Sequence, residues 1–226
     1  MQVGNATYDR PEDLPETIPL FPLSAALLLP RGQMPLNVFE PRYMAMIDAV
    51  LAGDRVIGIV QPRFDLGEVD LAAAPPLCAV GCAGRLTALQ ESGDGRYLLS
   101  LTGICRFRLL DEVTAGTPFR VARVSAAEFA EDFEPDRGQD EVDRQALLDT
   151  FRAYLEANHL ETDWPSVERA SNETLVNALS MMSPYGPAEK QALLEAPDLR
   201  SRAETLVAIT EVTLVRAEQD GDIRIN

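Results

Sequence analysis

One lysine, Lys190, one histidine, His159, and three cysteines, Cys78, Cys82 and Cys105, are spread through 226 residues. So little lysine removes almost all amine chemistry. An odd, sparse set of cysteines argues against a disulfide framework. Cys78 and Cys82 have a spacing that suits metal, but structural zinc needs four matched ligands. Cys105 and His159 are the other soft donors, and His159 sits far along the chain, so the cysteines read as buried strand residues and no metal is expected. No Asp-x-Asp-x-Asp-Gly calcium loop occurs, and no cofactor is implied. No apolar run reaches the roughly 18 residues of a membrane helix. The N-terminus carries Asp9, Glu12 and Asp13 in place of a basic, apolar signal core, which predicts no cleaved export signal and a cytoplasmic protein. Basic residues are outnumbered 20 to 36, a net charge of −16 that repels phosphate backbones and anionic lipid. No side chain stands out as a nucleophile paired with a base, which disfavours a hydrolase.

What the chain does have is a proline-broken apolar run, residues 18–43, closing on Phe39-Glu40-Pro41-Arg42-Tyr43. Proline fixes its own φ and donates nothing to a ladder, so the run reads as short strands and turns. Pro41 suits a first helical turn, Tyr43, Met44, Ile47, Val50 and Leu51 give that helix an apolar face, and Gly53 stops it. Strand patterns follow at Val56–Val60, Leu77–Leu89, Tyr97–Leu101, Arg106–Leu110 and Phe119–Val124. Gly81 and Gly84 mark bends, and Glu91–Arg96 is a turn.

Residues 127–143 hold eight acids and one base, Arg137, and the middle of this stretch reads as a solvated linker. The acids near the N-terminus read as solvated too. Beyond it the period becomes helical. One long amphipathic helix runs from Val142 to Leu160, with His159 at its end. A shorter one covers Thr174–Met182, a third opens at Pro187, and a last one follows Asp198, its face running through Leu206, Thr210 and Ala217. The division expected is a β-rich domain over 1–126, an acidic lead-in over 127–143 and a helical bundle over 144–226.

The order of these pieces resembles the Lon N-terminal, or substrate-binding, domain family, especially its stand-alone bacterial versions. The matching pieces are Ile18–Leu23, Leu29-Pro30 with Gly32, Pro35–Tyr43, Ile57–Val60, Val80–Leu86, the Gly93–Gly95 turn, Thr102–Phe107, Pro118–Ala122, Glu189–Glu195 and Arg202–Leu206. They cover roughly residues 15–218. The resemblance implies an α+β fold, a bent PUA-like β-barrel with one inserted helix followed by a helical bundle, and a role in recognising protein substrates for an ATP-dependent protease. A full Lon protease adds an ATPase and a Ser–Lys peptidase. This chain has no Gly-x-x-x-x-Gly-Lys phosphate loop, and Lys190 falls in what reads as a solvated helix turn. The chain is therefore expected to be no enzyme.

Glu40, Arg42, Tyr43 and Arg106 read as a structural motif, an ion-pair and hydrogen-bond set tying the helix start to the barrel. Arg31 and Met34, in a proline-flanked loop, and Arg63 and Phe64, in the connection after Val60, are the candidates for peptide contact, since loops on rigid scaffolds carry binding. The function expected is non-catalytic binding of unfolded or exposed apolar protein segments, adaptor- or chaperone-like in protein quality control, in a groove between barrel and bundle, with a protease among its partners. An RNA-binding PUA-like protein is the alternative, which the net charge opposes.

Overall fold

A computed structural model describes residues 1–64 and 74–223, with side chains of the last helix described through residue 216. Ala217 on that helix's face lies outside the described side chains. Two units emerge. The first comprises residues 1–135 and 184–194, the second residues 136–183 and 195–226.

The first unit opens with a small ribbon, β1 (Gln2–Val3) against β2 (Ala6–Thr7), and continues into a six-stranded sheet. Its strands are β3 (Thr17–Pro22), β4 (Gln33–Val38), β5 (Val56–Pro62), β6 (Leu77–Glu91), β7 (Tyr97–Val113) and β8 (Arg120–Ser125). Helix α1 (Pro41–Ala52) runs between β4 and β5, so that β3 and β5 can lie parallel. The Glu91–Arg96 turn joins β6 to β7 with Gly95 at φ +79. The two segments Tyr97–Leu101 and Arg106–Leu110 are one 17-residue strand.

Strand β8 pairs with β3 on one side and with the far half of β7 on the other, which closes β7, β6, β5, β3 and β8 into a ring. Closure removes most of the exposed ladder. Strand β4 stays outside the ring, laid along the first half of β7, and carries Pro35, which an edge strand tolerates. Phe107 fills the barrel interior at 0% exposure, among Ile18, Leu20, Ile104 and Cys105. A Cβ at Gly81 would sit 2.5 Å from its ring, so this glycine of β6 makes room for it, whereas an irregularity in the β6–β7 pairing falls at Gly84.

The first unit also contains α5 (Pro187–Glu195), which the sequence pattern assigned to the bundle, and the 3-10 segment Ala127–Phe133, assigned to the linker. Gln61 on β5 donates to the Pro187 carbonyl at 3.0 Å and to Gln191 Oε1 at 3.0 Å, and Gln191 donates to the Val80 carbonyl at 3.1 Å. These bonds fasten α5 to β5 and β6. The acidic segment is not simply solvated: Asp132 and Phe133 are buried.

The second unit is helical, with α2 (Arg144–Ala157), α3 (Trp164–Arg169), α4 (Asn172–Met182) and α6 (Leu199–Ile223). Asp143, Ser171 and Asp198 cap α2, α4 and α6 by accepting from the amides of Ala146, Thr174 and Ser201. The helix α3 is an addition to the sequence reading. Arg144 gathers its exit, donating to the carbonyls of Val167, Glu168 and Ala170 at 2.9, 3.1 and 3.1 Å.

Candidate functional site

The loop from Leu23 to Gly32 is pinned to the barrel at both ends. The Ala25 amide donates to Gln61 Oε1 at 2.9 Å, and the Arg31 amide to the Gly103 carbonyl at 2.9 Å. The Gly103 amide donates to the Gly32 carbonyl at 2.8 Å, and a Cβ at Gly103 would lie 2.0 Å from the Leu29 oxygen. Only glycine lets the loop approach so closely. Arg31 itself has φ 65 and donates from Nη1 to the Asp132 carbonyl at 2.7 Å.

Asp132 receives more. Its carboxylate takes the Arg106 amide at 2.8 Å and the guanidinium through Nε at 2.9 Å and Nη2 at 2.7 Å. Arg106 also donates to the Leu194 carbonyl at 3.2 Å and stacks 4.8 Å from the Phe129 ring. This buried, bidentate knot joins β7, the 3-10 segment and the end of α5, and a guanidinium at a helix C-terminus meets its negative dipole end. The expected single set of Glu40, Arg42 and Arg106 therefore separates into two. Arg106 belongs with Asp132, whereas Arg42 pairs locally with Glu40 at 3.0 Å, both at the start of α1. Arg42 also lies 4.5 Å over Tyr43, whose ring packs 4.2 Å from Phe21; burial raises the Tyr43 phenol's pKa.

Asp132 is the residue the sequence reading missed. Its signal is Phe129 and Phe133 at a spacing of four within the acidic run, which marks a docked segment.

Of the proposed contact residues, Met34 lies on strand β4 opposite Leu101 and is half-buried, where the sequence suggested a loop. Arg31 is held in the knot. Arg63 and Phe64 follow β5 and are exposed, Phe64 at 41%. A further aromatic stands out more: Phe39, between β4 and α1, is 60% exposed, with Arg96 5.6 Å from its ring. The four candidates are thus not gathered into one site. Two are absorbed by the scaffold and two remain outward.

Lys190 also departs from expectation. It lies on α5 at 3% exposure, 5.9 Å from the Tyr185 ring, and burial lowers its pKa to about 8. The three cysteines lie buried in β6 and β7, where burial pushes the Cys105 thiol well up and away from nucleophilic character. His159 follows the α2 cap Asn158 with φ 54. Among the described residues no helix is long and apolar enough to cross a membrane.

Comparison with known proteins agrees with this architecture. "Lon protease 2" of Myxococcus xanthus is 27% identical over 205 residues, 88% of this chain and 24% of that protein. "Lon protease" of Escherichia coli strain K12 is 23% identical over 209 residues, 89% of this chain and 26% of its own length. The chain thus spans about a quarter of these curated relatives. Among solved structures, the N-terminal domain of Mycobacterium avium complex Lon protease superimposes with a TM-score of 0.64 at 16% identity, over 86% of this chain and 98% of that one. A Lon N-terminal domain protein from Xanthomonas campestris gives 0.58 at 24% identity, over 85% and 97%. The matches fall on the substrate-binding part of Lon and not on its ATPase or protease modules. The model of the ATP-dependent protease La (LON) substrate-binding domain matches residues 17–211, and the chain belongs to that family.

Proposed function

We propose that this chain is a non-catalytic protein-binding module that holds exposed apolar segments of other polypeptides, as an adaptor or chaperone-like factor in protein quality control. The observation that carries this reading is the pair of aromatic side chains, Phe39 and Phe64, held in solvent on a unit whose fold belongs to a substrate-binding family. Aromatic rings cost little conformational entropy to immobilise and dominate contact energies when covered. The exposed Arg63, next to Phe64 in sequence, adds a long, adaptable side chain beside it.

The test is fluorescence anisotropy with labelled, reduced and carboxymethylated unfolded protein, and with an array of aromatic-rich peptides, in the absence of nucleotide. Micromolar binding is expected. The double substitution Phe39→Ser, Phe64→Ser lowers affinity about tenfold without changing the circular dichroism spectrum. No binding to any probe by a folded protein overturns the reading.

A further inference from the structure

Arg85 on β6 is 8% exposed, yet all the acceptors it meets are neutral. It donates from Nη1 to the Tyr8 hydroxyl at 3.0 Å and the Asp54 carbonyl at 2.8 Å, and from Nη2 to Asn5 Oδ1 at 2.8 Å. Among the described residues no carboxylate comes within ion-pair reach of it. Arg106, the other deeply buried guanidinium of this unit, is matched by Asp132. A buried charge lacking a counter-charge is costly, and such a group calls for an anion.

Space for one exists beside it. Arg85 borders an open, mostly polar cleft of about 450 Å³, together with Asn5, Tyr8, Asp13, Asp54 and Arg55. Arg55, exposed, lines the same cleft and has no ion-pair partner among the described residues, so its guanidinium is available to a ligand there. Its backbone is held at φ 60, with its amide on the Val50 carbonyl at 3.1 Å and its carbonyl accepting from Leu86 at 2.8 Å. A non-glycine residue kept in the left-handed region by its surroundings is the kind of strain found at binding sites. Gly4, at φ +59, borders Arg85: a Cβ there would meet its Nε at 3.7 Å, so the Gly4 amide reports on that edge of the guanidinium.

The anion's charge is bounded by the rim. The Asp13 carboxylate accepts from the amides of Asp9 and Arg10, and these bonds hold its pKa low, so it stays ionised. Arg10 pairs with Asp13 at 3.4 Å, so Arg85 and Arg55 against Asp54 leave room for a single negative charge and disfavour phosphate dianions and polyanions. A carboxylate has the right charge and the planar geometry that a guanidinium fork grips.

We propose that this cleft is a carboxylate subsite, in which Arg85 and Arg55 clamp a carboxylate of a bound polypeptide. The proposal rests on the protein-binding reading above. The carboxylate is carried either by a chain terminus or by an acidic side chain, and the test separates the two.

The full chain, labelled with 15N, is titrated with three peptides of otherwise identical sequence: one with a free C-terminus, its C-terminal amide, and the amide with one internal aspartate. The readouts are the Arg85 Nε–Hε resonance, the Gly4 amide and the dissociation constant. The free acid is expected to move both resonances and to bind about tenfold more tightly than the amide. An aspartate peptide that matches the free acid assigns the side-chain source; one that matches the amide assigns the terminus. Arg55→Gly, which suits the left-handed backbone, lowers affinity for the free acid about fivefold and leaves the amide unchanged. Equal binding of acid and amide overturns the subsite, as does acid binding that leaves Gly4 and Arg85 unmoved while other resonances shift; in the latter case protein binding itself stands. Failure of all three peptides together with the unfolded-protein probe removes both readings.

Discussion

Lys190 buries the chain's only lysine ammonium, and the consequence is a pH dependence of known sign. Its ordinary pKa of 10.5 falls to about 8 in the folded protein because burial disfavours the charge. Below pH 8 the folded and unfolded chains both carry the proton and the full cost of burying it applies. Between pH 8 and 10.5 the unfolded chain binds more protons than the folded one, so stability rises with pH. Above that window the cost is gone, and its ceiling is about 3 kcal/mol. Lys190→Met removes the titration. The stability of the variant minus that of the natural chain, from urea melts, is therefore expected to fall as pH is raised from 7.5 to 10. A constant difference would show that the ammonium is not desolvated. The spacing of apolar residues around Lys190 marked a helix, but the local pattern does not distinguish a lysine buried against the sheet unit from a solvated one.

At the scale of elements, the segment Ala127–Phe133 acts as a clasp. It carries Asp132 into the reach of β7 and, through Arg106, of the Leu194 carbonyl near the end of α5. Asp132→Ala leaves the Arg106 guanidinium buried without its partner. The expected loss is about 3 to 5 kcal/mol in chemical denaturation. Amide exchange is expected to accelerate in α5 more than in β5, since α5 loses a bond the clasp orients; exchange that speeds up evenly would assign the effect to global stability alone. Most elements themselves were legible in the sequence. Pro41 and Gly53 bound α1, the Gly93–Gly95 turn makes the β6–β7 hairpin, and Asp198 caps α6. Their neighbours were not. Charge density in residues 127–143 read as solvation because eight acids outweigh two phenylalanines in any local average. Strand β7 read as two strands because Thr102 and Gly103 interrupt its pattern, whereas the interruption is where the Leu29–Gly32 loop lies down. Of the candidate contact residues, loop position was a fair guide to Arg63 and Phe64 only. For Arg31 and Met34 the pairing that absorbs them is tertiary, and Arg85 carried no sequence signal, since an arginine in a strand announces neither burial nor a neutral set of partners.

Over the whole molecule, the chain leaves the first unit at Pro135 and returns to it at Pro184. A linear cut therefore cannot isolate the barrel. A fragment ending at residue 143 lacks α5 and so exposes the Gln61 amide group and the Val80 carbonyl that α5 satisfies. Buried polar groups stripped of partners cost about 1 to 3 kcal/mol each. The fragment is expected to melt well below the full chain and to bind 8-anilinonaphthalene-1-sulfonate; adding a synthetic peptide of residues 184–196 in excess is expected to recover part of the loss. Equal melting temperatures for the fragment and the full chain would show that α5 contributes nothing to the barrel.

The same return has an outcome for biosynthesis. Residues 184–194 leave the ribosome only after all the described strands and after residues 136–183 of the second unit. The nascent barrel must therefore wait, its seat for that helix vacant, until residues 184–194 have been made, and a ribosome stalled in the codons for residues 136–183 would hold a half-built barrel whose missing piece does not yet exist.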